Sequence, residues 1–299
     1  MKYCRKGQAY FLIFLAILFA TTAFAQVDTV KQKEDKYRNY LLYTGIAYTG
    51  SLLALNQLWY SDYERGSFRT FNDNKEWLQM DKAGHVFSAY ALSSFSYELL
   101  KGKKEFDSKA ALVSSASAFL FLGTIELMDG YSAKWGFSWG DLIANTTGIG
   151  IFYAQEAIFH RQIMRLKFSY QPTKYREVRP NLLGSNELEG IIKDYNGQIY
   201  WASINLNEIS DKIQPKWLNL AFGYGAKGMV SANKNTFSDL QSFSRERQYF
   251  LSFDVDFRKI PTSKPWVKTV LKVINVIKVP FPSMEFNQGG GNKFHWLYF

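Results

Sequence analysis

Gln248-Tyr249-Phe250-Leu251-Ser252-Phe253-Asp254-Val255-Asp256-Phe257-Arg258 is the stretch on which the fold class turns. Tyr249, Leu251, Phe253, Val255 and Phe257 alternate with Gln248, Ser252, Asp254, Asp256 and Arg258, and only Phe250 breaks the polar side. A period of two over this length is a strand signal, because successive side chains point to opposite faces. Leu218, Leu220, Phe222 and Tyr224 alternate with Asn219, Ala221 and Gly223 in a second strand, and Gln198 to Asn205 gives a third. Asn196-Gly197 accepts positive φ at both central positions of a tight turn, which predicts a hairpin between Ile191–Tyr195 and that third strand. Phe294 to Phe299 closes the chain on an aromatic strand, and Gly289-Gly290-Gly291 before it reads as a turn. A terminal Phe on such a strand is also how outer-membrane barrels end. Five or six candidate strands fall below the eight that a closed membrane barrel needs. A small antiparallel sheet is therefore predicted for residues 166–299.

Upstream of residue 165 the texture is helical. Tyr40 to Trp59 carries no charge and holds Gly45, Gly50 and several Ala, Ser and Thr. Asp81–Leu100, Lys109–Met128 and Trp139–Arg161 have the same small and aromatic character. Polar, charged and glycine-bearing segments separate them at 62–74, 102–107 and 130–140. Four such segments predict a four-helix bundle over residues 26–165, so the fold class is α+β. Small residues let helix backbones approach closely, as helices do in lipid. Only Leu41 to Tyr60 approaches the ~20 apolar residues that a span needs.

The first 25 residues read as a secretory signal: Lys2, Arg5 and Lys6 precede an apolar run ending in Ala23-Phe24-Ala25. The single cysteine, Cys4, leaves with it, so no disulfide or thiol chemistry is expected in the mature chain. The net charge of +10 falls to +7 once those three basic residues are gone. A basic exported protein meets anionic lipid head groups or acidic polymers rather than nucleic acid, although a modest excess also serves solubility. Lys264 to Val279 adds a basic amphipathic helix, with Lys264, Lys268, Lys272 and Lys278 opposite Trp266, Val270, Val273, Ile274 and Ile277. Its β-branched residues equally suit a strand.

Seven polar residues stand on the otherwise apolar helices: Asp81, Lys82, His85, Glu126, Asp129, Asp141 and Asn145. Asp81 and His85 are four apart, Glu126 and Asp129 three, and Asp141 and Asn145 four, so each pair shares a helix face. If three helices turn these faces inward, an imidazole, several carboxylates and an amide converge. His85, Glu126, Asp129 and Asp141 are then candidate ligands of a divalent metal, and the same set suits acid–base work. Each residue also has a plainer role: Asp81 and Asp141 as helix N-caps, His85 as an interior histidine, Lys82 and Lys134 as counter-charges in a structural network.

Asp81-Lys82-Ala83-Gly84-His85, Glu126-Leu127-Met128-Asp129-Gly130 and Ser138-Trp139-Gly140-Asp141-Leu142-Ile143-Ala144-Asn145-Thr146-Thr147-Gly148 together resemble a family of predicted periplasmic lipoproteins without assigned function. D-K-x-x-H, E-x-x-D and S-x-x-D-x-x-A-N-x-x-G recur there in this order. The last element is also similar to the VanZ-like membrane proteins, which carry K-x-x-H, E and D-x-x-x-N on membrane helices. The resemblance covers roughly residues 78 to 155 and implies that the seven residues form the site; it carries no reaction. The C-terminal half, with Arg179-Pro180-Asn181-Leu182-Leu183-Gly184 and Asp194-Tyr195-Asn196-Gly197, resembles the extended versions in Bacteroidetes-type bacteria. This chain lacks the lipid-acceptor cysteine of a lipoprotein.

No Walker A loop, dinucleotide fingerprint, H-E-x-x-H or G-x-S-x-G occurs, and no nucleic-acid motif. Two functional classes stand. One is an exported envelope protein of the periplasm or outer membrane whose polar site binds a lipid head group, an envelope precursor or a divalent metal. The other is an outer-membrane-associated structural protein whose buried charges fix helix register.

Overall fold

A computed structural model describes residues 33–56, 64–102, 105–233 and 243–298. The predicted leader at 1–25, residues 57–60 of the apolar run, and Phe299 lie outside them. The protein is α+β: among the described residues four α-helices precede residue 160, and a six-stranded antiparallel sheet follows. It divides into two compact units, Met1–Asn74 with Ser88–Arg161, and Lys75–Phe87 with Gln162–Phe299.

The helical unit is built from α1 (Lys33–Leu55), the greater part of α2 (Met80–Lys101), α3 (Ser108–Gly130) and α4 (Trp139–Phe159). Capping sets the starts of the last two. Asp107 accepts from the Ala110 N–H at 3.2 Å, and Ser138 Oγ accepts from the Asp141 N–H at 3.1 Å, so each satisfies a helix-end donor left without an intrahelical partner. Ala89, Ala118 and Ile149 form the shared core with Leu92 and Leu122, and Tyr97 meets Phe152 edge-on at 5.5 Å. Ala89 and Ala118 therefore make the close approaches in this cluster. Gly45, Gly50, Gly123 and Gly150 have open space beside them, whereas Gly148 on α4 is buried.

The membrane-span expectation also changes. Among the described residues, α3 is the one helix long and apolar enough to cross a membrane, with 28% of its most apolar window buried; the run expected from Leu41 to Tyr60 continues past the described residues at 57. Counting only the uncharged run from Ala110 to Ile125 stops short of the 23 residues that are helical.

The sheet is a meander of neighbours: β1 (Met164–Tyr170), β2 (Gln198–Asn205), β3 (Leu218–Lys227), β4 (Glu246–Val255), β5 (Phe281–Asn287) and β6 (Lys293–Tyr298). The predicted hairpin partner of β2 is instead a helix. Residues Glu187–Lys193 are capped by Asn186, whose side chain accepts from the Glu189 N–H, and two glutamates occupy the first turn, where the helix dipole favours them. Asn196, read as a turn residue, clasps the Met229 backbone through both ends of its amide at 2.7 and 2.9 Å. The partner of β2 on that side is β1. The glycine-rich turn stands between β5 and β6, with Gly290 and Gly291 at φ 89° and 85°, a region that favours glycine.

The amphipathic segment is helical over Pro265–Ile274 (α5) and no further. Beyond it, Phe168 N–H donates to the Val276 carbonyl and Lys278 N–H to the Phe168 carbonyl, both at 2.9 Å, so the chain joins the free edge of β1. Lys278 is consequently buried rather than solvated with Lys264 and Lys268.

The sheet reverses the usual division of its faces. Gln248, Ser252 and Asp254 are buried, while Tyr249, Leu251 and Phe253 are exposed. On the buried side, Lys167 Nζ lies 2.8 Å from Asp254, which also accepts from Ser203 Oγ at 2.6 Å and the Val279 N–H at 3.1 Å. A second buried group, Glu285, accepts from Gln248 and bonds His295, both at 2.7 Å. Between them lies a small apolar cluster of Ile199, Trp201, Ala221 and Phe250.

Candidate functional site

The D-K-x-x-H element belongs to the sheet unit and is set by a strained turn. Trp77, Leu78 and Gln79 stand in succession at φ 46°, 50° and 63°. Left-handed backbone costs roughly 1–2 kcal/mol per non-glycine residue, so the surroundings must hold this turn. They do so through several bonds. Trp77 N–H donates to the Ala232 carbonyl at 2.7 Å, Tyr224 Oη donates to the Leu78 carbonyl, and Arg247 donates to Gln79 Oε1. Met80 follows, fully buried against Ala226 and Met229, and anchors the first turn of α2.

Asp81 comes next and does not cap the helix, because α2 already begins at Met80. Its carboxylate is held from two sides: Tyr195 Oη donates to Oδ1 at 2.7 Å and Lys82 Nζ to Oδ2 at 3.0 Å. His85 Nε2 lies 3.9 Å from Oδ1, one helical turn on. Burial raises the Asp81 pKa, but His85 and Lys82 and the hydrogen bonds from Tyr195 and Lys82 outweigh it, leaving the carboxyl below its ordinary range. Asp81 keeps 23% of its side-chain surface exposed and His85 26%, so solvent reaches both.

Gly84 between them is explained by packing. A Cβ there would sit 2.9 Å from Tyr200 Oη, which cannot move aside easily because it donates to Gln198 Oε1 at 2.7 Å. Phe87, at the end of this segment, packs on Phe168 and Tyr200.

The other two elements lie in the helical unit. Glu126 is buried on α3 and Asp129 half-buried one turn later. That helix ends at Gly130, where Phe68 leaves no room for a side chain: a Cβ would fall 2.4 Å from the ring. Segment 64–71 then pairs with the loop after α3, Arg69 N–H donating to the Gly130 carbonyl and Phe137 N–H to the Arg69 carbonyl, both at 2.9 Å. Ser138 Oγ donates to Asp73 at 2.7 Å while it caps α4, which leaves Asp141 in the first turn, buried and favoured by the helix N-terminus. Asn145 is buried one turn further on. A cavity of about 460 Å³, lined by Glu64, Arg65, Met128, Tyr131 and Ser132, opens beside the E-x-x-D element without taking in any candidate residue.

The structure thus brings Asp81, Lys82 and His85 together in one unit and holds Glu126, Asp129, Asp141 and Asn145 in the other. Of the two proposed counter-charges, Lys82 pairs with Asp81, and the Lys134 ammonium lies over the Trp135 ring at 4.8 Å. Tyr195 was missed from sequence. It is 114 residues from Asp81, in a turn whose composition announces only the turn.

Residues 69–156 match the model of a family described as "Predicted periplasmic lipoprotein (DUF2279)". All seven candidate residues fall inside the matched segment, and the match agrees with the resemblance read from the three ordered motifs. It is in keeping with an exported protein of the cell envelope, periplasmic or at the outer membrane. No curated protein and no solved structure matches the chain.

Proposed function

We propose that this envelope protein binds the anionic head group of a membrane lipid or lipid-linked envelope precursor, directly or through a divalent metal, at Asp81, Lys82 and His85. One observation carries the reading: a carboxylate and an imidazole stand 3.9 Å apart on one helix face, reachable from solvent, behind a strained turn. Ligand atoms about 2.0–2.2 Å from a common cation can span such a separation, and a carboxylate with an imidazole suits zinc or manganese. Lys82 beside them is a point charge of the kind that binds phosphate. Glu126, Asp129, Asp141 and Asn145 are the remaining candidates that the motif supplies, for binding or for acid–base work.

The test is native mass spectrometry of the full chain extracted in mild detergent, beside Asp81→Asn, His85→Ala and Glu126→Gln. Retained metal or a lipid-sized mass, lost on substituting Asp81 or His85, supports the site. Bare wild-type protein overturns it. A structural role is favoured by a different observation, the 3.0 Å bond of Lys82 to Asp81. On that reading Asp81→Asn lowers the unfolding midpoint and changes no bound mass.

A further inference from the structure

We infer that the outward face of the sheet, beyond the part at Phe168 and Tyr200 that Gly84 and Phe87 of α2 cover, lies against lipid acyl chains, with α5 at the head-group level beside it. Leu166, Ala202, Phe222, Leu251, Met284 and Phe294 are register neighbours in one unbroken row across all six strands. None is buried, and Phe222 and Phe294 keep about half of their surface exposed, at 48% and 50%. Phe253 on one side of this row and Trp296 beyond its end, at 46% and 78%, extend the same face.

The reverse face settles the kind of occupant. One residue on, the row reads Lys167, Trp201, Gly223, Phe250, Glu285 and Lys293, and all but Lys293 are buried. A sheet in water puts its apolar face inward and its charges outward. Here the charges are enclosed and the apolar side chains are presented, the division found where the medium outside is hydrocarbon and the inside is polar. The Lys167–Asp254 ion pair and the bond from Asn219 to Ser203 tie the polar parity of β1 through β4, so a one-residue slip does not restore the soluble pattern without tearing that network.

Helix α5 fits the same medium. Trp266 and Val270, one turn apart, are 66% and 47% exposed, and Ile277 just beyond the helix is 49% exposed. Lys264 and Lys268 stand on its opposite side, also exposed. An uncovered apolar stripe with a lysine stripe behind it matches an anionic lipid surface, and tryptophan is at home at its boundary.

Cys4 is the only cysteine, so single cysteines for spin labels can be placed on a Cys4→Ser background of the full chain. Leu251→Cys, Phe253→Cys and Met284→Cys replace exposed side chains, Lys212→Cys serves as the water reference, and trypsin resistance checks each fold. The variants are reconstituted with vesicles of phosphatidylethanolamine and phosphatidylglycerol. The expected result is that dissolved oxygen reaches the first three labels and a water-soluble nickel chelate does not, the reverse of Lys212→Cys. Nickel access equal to that at Lys212 overturns the inference. So does exclusion of both reagents with a doubled particle mass, which would assign the face to a second copy of the chain.

Discussion

Two aspartate–lysine pairs in the sheet unit differ first in their exposure. Lys167 and Asp254 stand 2.8 Å apart with no side-chain surface exposed on either; Lys82 and Asp81 stand 3.0 Å apart and keep 14% and 23% exposed. The sealed pair is built from strands 87 residues apart in the chain and has Ser203 and the Val279 N–H as further partners, which leaves no approach for a ligand. The open pair is adjacent in sequence, follows a strained turn, and has His85 within 3.9 Å. Similar chemistry is thus sealed from water in one pair and open to it in the other, where binding is proposed.

Removing Lys167 should break the comparison most visibly. Lys167→Met leaves Asp254 buried without its counter-charge and should cost roughly 3–5 kcal/mol in denaturant unfolding. A loss under about 1 kcal/mol would mean that the pair is less enclosed than the geometry gives. Tyr195→Phe takes one donor from Asp81 and should cost about 1 kcal/mol, with the Asp81 pKa moving back up, read by carboxyl NMR titration. The smallest effect is in pH. Because the folded pKa of Asp81 lies below its ordinary 3.8, the residue contributes stability above that value and loses it as pH falls through the folded one. Wild type and Asp81→Asn should therefore converge in unfolding midpoint as the pH is taken from neutral to well below 3.8, whereas a constant gap would deny the depressed pKa.

What was legible in the sequence was local. The alternation from Tyr249 to Phe257 gave strand β4, and the polar residues spaced three and four apart marked the helix faces. S-x-x-D proved to be a helix cap and a buried acid at once. Illegible features depended on distant partners. Periodicity says that β4 has two faces but not which one is buried, and that was decided by Lys167, Ser203 and Val279 meeting Asp254. Strand β5 opens with Phe281-Pro282 and alternates over too few residues, so it went unread. The helix at Glu187–Lys193 was mistaken for a strand because the Asn-Gly signal beside it outweighed the Asn186 cap.

The most direct test of the account is titration of the detergent-solubilised chain with zinc and manganese by calorimetry, comparing wild type, Asp81→Asn, His85→Ala and Asp254→Asn at matched folded fractions. The account predicts that a saturable cation site is lost in Asp81→Asn and His85→Ala and kept in Asp254→Asn. Binding that survives both site substitutions, or a wild-type chain that takes up neither metal and carries no lipid, would contradict it.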